Sequence, residues 1–190
     1  EARELYRAII DRITQFYQPY STNPSDPSYV SLEVQGQNLT DPTLAAYATT
    51  YANFADKPLW VDGPQYNDID QGSLGDCYYL AALAGLADTD PEILRQMIAP
   101  LGDGTFAMRY YNGSQEVYVR VDADLPVSSG RNLVYARMGP DGELWVPLAE
   151  KAYAYYRYGD NSYESIEGGW MHTVNSQITG ISSQFYWTSD

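Results

Sequence analysis

The chain holds a single cysteine, Cys77, in the string Gln71-Gly72-Ser73-Leu74-Gly75-Asp76-Cys77-Tyr78-Tyr79-Leu80, directly ahead of an apolar run that continues to Ala87. A run that is apolar all round is the pattern of a buried helix. The thiol therefore stands at a helix N-terminus, where unpaired backbone N–H groups and the positive end of the helix dipole favour an anionic, nucleophilic sulfur. Gln71 lies six residues upstream. Its side-chain amide is one donor for an oxyanion, and the Cys77 backbone N–H is a second. Gly72 and Gly75 let the loop between them approach a bound molecule closely. The segment holds half of what nucleophilic attack on an acyl carbon requires. The other reading of position alone is a cysteine buried as a small apolar residue, since free cysteine is among the most buried types.

Two further groups of residues bear on chemistry. Asp62, Asp68 and Asp70 precede Gln71, with the carbonyls of Val61 and Gly63 on either side of Asp62. Hard oxygens of this kind suit calcium. In a chain with 25 acidic residues such clusters also arise without any metal. Gly168 and Gly169 let an extended peptide run along the backbone and form main-chain hydrogen bonds. A plain turn between Glu167 and Trp170 is the alternative.

The elements that must position these residues are legible in part. Residues 2–18 place Leu5, Ile9, Ile13 and Phe16 at helical spacing. Pro19, Pro24 and Pro27 end that helix in a loop, and Asp41-Pro42 reads as a cap opening a second helix to about Phe54. After the Cys77 helix, Asp90-Pro91 opens a short helix that Pro100 closes. Alternating runs over 105–111 and 115–121 flank Asn112-Gly113, a strong hairpin signal. Phe106, Met108 and Tyr110 share one face, and Val117, Val119 and Val121 line a second strand. Residues 133–138 read as a further strand ended by Gly139-Pro140-Asp141-Gly142, 144–158 as a helix stopped by Gly159, and 170–178 as a last short helix. The expected class is α+β, helices dominant, with a small antiparallel sheet.

Formal charge is −14, from 11 basic and 25 acidic residues. Such a surface is a poor partner for nucleic acid or anionic membrane and a better one for divalent cations. No stretch has the roughly 18 apolar residues that span a bilayer. One cysteine excludes an internal disulfide framework and leaves the compartment open. The 19 tyrosines and two lysines suggest a hydroxyl-rich polar surface.

The string from Gln71 to Cys77, followed by an aromatic residue and Leu80-Ala81-Ala82, resembles the active-site signature of the calpain family of papain-like cysteine peptidases. Tyr78 stands where calpains usually carry Trp. Further strings follow in the expected order: Pro58-Leu59-Trp60-Val61-Asp62-Gly63, Val121-Asp122-Ala123-Asp124-Leu125-Pro126, Glu143-Leu144-Trp145-Val146-Pro147-Leu148-Ala149-Glu150-Lys151-Ala152-Tyr153-Ala154, and Ser162-Tyr163-Glu164 leading to Gly168-Gly169. The resemblance covers about residues 57–182 and none of 1–55. It implies a papain-like nucleophile subdomain over 56–190 with a helical extension or linker over 1–55, in a calcium-dependent cysteine endopeptidase acting on protein or peptide substrates. Cys77 would be the nucleophile, with Gln71 at the oxyanion. Gly168 and Gly169 would dock the substrate backbone. The carbonyls of Val61 and Gly63 and the carboxylates of Asp68 and Glu143 would hold calcium.

Tyr66 stands where many calpains have an arginine that pairs across two subdomains. The family's Gly-His-Ala-Tyr-like and Asn-Pro-Trp-like strings are absent, so its His and Asn are expected from a second subdomain outside this chain. His172, 95 residues after Cys77, then reads as an ordinary loop or helix-end histidine, and the chain by itself as inactive. The rival from another class is a catalytically inactive module of the same fold that binds calcium or proteins. Intact Cys77 and Gln71 argue against it.

Overall fold

The computed structural model describes residues 16–17 and 39–183. A hairpin forms the spine: β4 (Thr105–Asn112) and β5 (Gln115–Asp122) pair antiparallel from Asn112↔Gln115 to Thr105↔Asp122. Gly113, at φ 62°, makes the turn that a residue with a side chain resists. Phe106, Met108 and Tyr110 stand opposite Val121, Val119 and Val117, a register the Asn112-Gly113 turn sets. β3 (Ile98–Pro100) adds to β4, and β1 (Phe16–Tyr17) runs parallel to β5, giving a four-stranded sheet in the order β1-β5-β4-β3. A second, two-stranded sheet pairs β2 (Thr50–Asn53) with β6 (Asp124–Val127).

Among the described residues four α-helices pack with these sheets: α1 (Cys77–Thr89), α2 (Pro91–Met97), α3 (Trp145–Tyr156) and α4 (Met171–Thr179). Every residue of α3 from Trp145 to Tyr155 is buried, Glu150 and Lys151 included. A helix buried on all sides needs its polar groups satisfied internally, and the tyrosines supply much of that. The Tyr79 and Tyr110 hydroxyls lie 2.9 Å apart, and both donate to the Ala149 carbonyl, at 2.9 and 3.1 Å. The Tyr79 and Tyr153 rings stack at 4.1 Å, and Tyr110 and Tyr156 at 4.4 Å. These contacts correct the expectation of a tyrosine-rich surface. Tyr79, Tyr110, Tyr135, Tyr153, Tyr155 and Tyr163 are among the largest fully buried side chains. With only four phenylalanines in the chain, the core uses aromatic bodies; the Tyr79, Tyr110 and Tyr153 hydroxyls find partners, while those of Tyr135 and Tyr163 are buried without one.

The structure also corrects three local expectations. No helix runs from Asp41 to Phe54: Thr43 bridges Ser162, and β2 completes a sheet. The Asp41 carboxylate accepts from Lys151 Nζ at 2.5 Å instead of capping a helix. Residues 133–138 form isolated bridges, Val127↔Leu133 and Asp70↔Arg137, rather than a strand. Phe16 and Tyr17, at the end of the helix expected over 2–18, lie in β1. The rest of that helix lies outside the described residues. Smaller shifts occur at helix ends, with α2 ending at Met97 before β3 and α3 ending at Tyr156, ahead of Gly159. Among the described residues no helix is long and apolar enough to cross a membrane.

Candidate active site

Cys77 is the first residue of α1 and is exposed. The burial reading of the thiol therefore fails. Asp76 precedes it as the cap, and the Asp76 carbonyl accepts from Tyr79 N at 2.8 Å, which starts the helix. The Cys77 N–H belongs to the first turn, whose amides have no carbonyl one turn earlier to bond. From its second residue the helix turns inward, with Tyr78, Tyr79, Leu80, Ala82 and Leu83 all buried. Anchorage by these residues holds the sulfur-bearing end at the surface.

The loop ahead of Cys77 is held along the 133–138 segment. Arg137 N donates to the Asp70 carbonyl at 2.9 Å, and Ser73 N to the Val134 carbonyl at 2.8 Å. A Cβ on Gly72 would come within 2.0 Å of the Tyr135 carbonyl oxygen, so only glycine fits this approach. Gln71 is exposed, and its Nε2 donates to the Leu74 carbonyl at 3.0 Å. An amide nitrogen carries two hydrogens. One fixes the Gln71 side chain to its own loop, and the second is left for another acceptor.

The glycine pair lies against this loop. Gly168 N donates to the Gly75 carbonyl at 2.8 Å, so the two segments are joined two residues from Cys77. Gly168 has φ 67°, and open space surrounds the position a Cβ would take. Gly169 is closely packed instead, since a Cβ there would meet the Tyr78 ring at 2.5 Å. The Tyr78 hydroxyl donates to the Ile166 carbonyl at 2.9 Å, and the Arg157 guanidinium covers its ring at 5.0 Å. Tyr78 thus keeps the aromatic body expected at this position and adds a bond that steadies the approach to the glycine pair. Burial pushes its phenol up to about 12, so it stays a neutral donor.

The candidate calcium residues come together only in part. The Val61 N–H donates to Glu143 Oε1 at 2.8 Å. Asp68 Oδ2 accepts from Gln65 N and from Trp145 Nε1, both at 2.8 Å. Asp68 and Glu143 are each 1% exposed and within each other's field. Burial, with the Asp68 and Asp141 charges adding to it, pushes the Glu143 carboxyl up to about 7. Glu143 Oε2 is buried with no hydrogen-bond partner. Gly63, at φ 89°, turns the loop beside the Arg95 guanidinium, whose Nη2 donates to the Asp62 carbonyl at 3.3 Å. Asp70 is not in this group; it pairs with Arg137 at 2.9 Å.

His172 is the second residue of α4 and lines a cavity of about 490 Å³ with Tyr111, Tyr156 and Ser183; Cys77 is not among its lining residues. Two residues that sequence reasoning quoted without a role also prove central. Lys151 Nζ lies among Asp41, Asp122 and the Asp124 carbonyl, and Glu150 lies beside Asp76. A signal existed for both: a lysine and a glutamate inside an otherwise apolar helix must have buried partners.

Residues 44–190 match the calpain family cysteine protease profile. The chain is 30% identical over 179 residues to calpain-12 of Homo sapiens, which covers 91% of the chain and 24% of that protein. It is 35% identical over 133 residues to the calpain-1 catalytic subunit of Rattus norvegicus, 66% of the chain and 18% of that protein. With calpain-B of Drosophila melanogaster the identity is 33% over 141 residues, 70% of the chain and 15% of that protein. The chain thus spans about a quarter or less of the length of these relatives. A match over 44–190, which contains the exposed cysteine, the glutamine loop and the glycine pair, settles the family: the chain belongs to the calpain family of cysteine proteases.

Proposed function

We propose that this chain is the papain-like nucleophile subdomain of a cysteine endopeptidase. The observation that carries the reading is the exposed sulfur at the start of α1, in the same short segment as an exposed glutamine whose amide is fixed by one of its two hydrogens. Cys77 attacks the scissile carbonyl of a protein or peptide substrate. The Cys77 N–H and the free hydrogen of the Gln71 amide receive the developing oxyanion. Gly168, left-handed and open at its Cα face, lets substrate backbone approach, while Gly169 sets the wall behind it. In this reading residues 56–190 form the catalytic subdomain and 1–55 an extension, of which β2 is tied to the core through β6.

The base that takes the thiol proton, and the residue that orients it, come from a second subdomain outside this chain. By itself the chain is silent. Incubated with a peptide substrate it gives no thiol-dependent turnover; cleavage that disappears in His172→Ala would contradict the reading.

The residues around Val61 fit calcium. Asp68 and Glu143 are buried acids whose mutual repulsion a divalent cation would relieve, and Glu143 Oε2 is left without any donor. Asp68, Glu143 and the carbonyls of Val61 and Gly63 would hold the ion. Bound there, it would supply positive charge that fixes the loop ahead of Gln71 relative to α3. Isothermal titration tests this: calcium binding is expected in the wild type and lost in Asp68→Ala. Absence of heat at millimolar calcium, or an unchanged Asp68→Ala titration, retires the site.

A further inference from the structure

Beneath the turn that carries Cys77 lie two carboxyl groups that take part in no ion pair among the described residues. Asp76 is fully buried, and Glu150 on α3 is 1% exposed. Glu150 has one backbone donor, Ala136 N–H, 3.0 Å from each of its oxygens. Asp76 has no donor from another residue: its own backbone N–H lies near the carboxyl, and neither oxygen receives a bond of hydrogen-bond geometry among the described residues. Its side chain does not cap α1, since the helix starts on the Asp76 backbone carbonyl. What stands within hydrogen-bond reach of the Asp76 carboxyl is the carboxyl of Glu150.

Two ionised carboxylates only accept, so contact between them is repulsive and leaves Asp76 without a donor. A single proton changes both facts. It makes an O–H···O⁻ bond and removes one of two buried charges. The other titratable groups facing the pair do not supply a donor charge. Glu167, beside Gly75, adds negative charge near Asp76. The phenols of Tyr78 and Tyr79 lie near Asp76, and those of Tyr135 and Tyr163 near Glu150. Burial pushes the Asp76 carboxyl up to about 6 and that of Glu150 well above the usual carboxylate range.

We infer that Asp76 and Glu150 share one proton at neutral pH, and that the bond it makes fastens the turn bearing Cys77 to helix α3. Both are positioning residues. The proton itself is independent of the peptidase reading; the effect on the thiol deepens that reading and rests on it.

The pH dependence has a definite sign. Folded, the pair binds a proton that the unfolded chain, with ordinary carboxyls near pH ~4, has already released. Its contribution to stability is full below that pH and falls as pH rises toward the folded values. Glu150→Gln keeps the bond without the titration, because an amide donates to Asp76 and accepts from Ala136 N–H.

The test is infrared spectroscopy of the whole chain at about pH 8, where ordinary carboxyls and most of Glu143 are ionised. The wild type is expected to show a protonated carboxyl band that shifts in D₂O, and Glu150→Gln to lack it. The melting temperature of Glu150→Gln should fall less than that of the wild type between about pH 5 and pH 8. No band, or the same band in Glu150→Gln, overturns the shared proton. So does failure of Glu150→Gln to fold, since the amide reproduces the protonated acid.

The fastening is read by alkylation of Cys77 with iodoacetamide. Glu150→Gln should react within about twofold of the wild type, and Glu150→Leu should differ on the order of tenfold or more. If Glu150→Leu cannot fold while Glu150→Gln does, the fastening is upheld. Equal alkylation of wild type and a folded Glu150→Leu overturns it, whatever the band shows.

Discussion

Serine in place of Cys77, in a protein that also carries the proposed second subdomain, is expected to lower kcat for peptide cleavage on the order of 10⁴-fold or more and to leave KM nearly unchanged. The side chain is exposed at the first residue of α1 and anchors nothing in the core. The fold should survive, and circular dichroism and melting temperature should match the wild type. The loss is purely chemical, a hydroxyl replacing the only thiol within a site built to use one. Gln71→Ala gives a graded effect, about 10²- to 10³-fold in kcat, because one oxyanion donor is lost while the Cys77 N–H remains. Turnover surviving in Cys77→Ser would assign the nucleophile elsewhere.

The largest effect on stability belongs to Lys151→Met. Lys151 is fully buried, and its Nζ donates to Asp41 Oδ1 at 2.5 Å, Asp122 Oδ1 at 2.6 Å and the Asp124 carbonyl at 2.7 Å. Asp122 is also fully buried and accepts from Leu39 N at 2.5 Å and Asp124 N at 3.1 Å. One ammonium therefore ties α3, the start of β6 and the chain around residue 41 into a single network. The carboxylate oxygens of Asp41, Asp122 and Asp124 lie within 4.8 Å of one another. An acidic triad of that kind could hold a metal, but here the cation is the protein's own. Methionine matches the length and removes the charge, leaving buried carboxylates uncompensated, which costs about 3–5 kcal/mol. Urea unfolding measures it. Arg137→Gln is the control: its pair with Asp70 is half exposed and contributes about 1 kcal/mol or less. Equal midpoints for Lys151→Met and wild type would contradict the network.

What the sequence disclosed divides by the range of the forces involved. The β4–β5 hairpin was legible because Asn112-Gly113 and strict alternation are local signals, and the register follows them pair by pair. The start of α1 was legible because an apolar run begins where the Gly-Asp-Cys string ends. Asp41-Pro42 carries an equally good local signal for a helix, yet Lys151, 110 residues away, takes the Asp41 carboxylate. Thr50–Asn53 then pairs with β6. A distant buried charge outweighs a cap of about 1 kcal/mol. Residues 133–138 are apolar enough to read as a strand, but their backbone partners are the Gln71 loop and the end of β6, too short a line for a ladder. Around the candidate site, Cys77 and Gln71 could be placed because they share one short segment. The contact of Asp76 with Glu150 could not, since the two are 74 residues apart in the chain.

One measurement goes to the center of the account. Pair this chain with a calpain-type subdomain that supplies the proposed His and Asn, add calcium, treat the protein with a peptidyl chloromethyl ketone, and map the adduct by mass spectrometry. The account predicts a single stoichiometric modification on Cys77, formed much faster than by a simple alkylating reagent and blocked by competing peptide substrate. Modification of Cys77 no faster than a free thiol in solution, or an adduct on another residue, would contradict it.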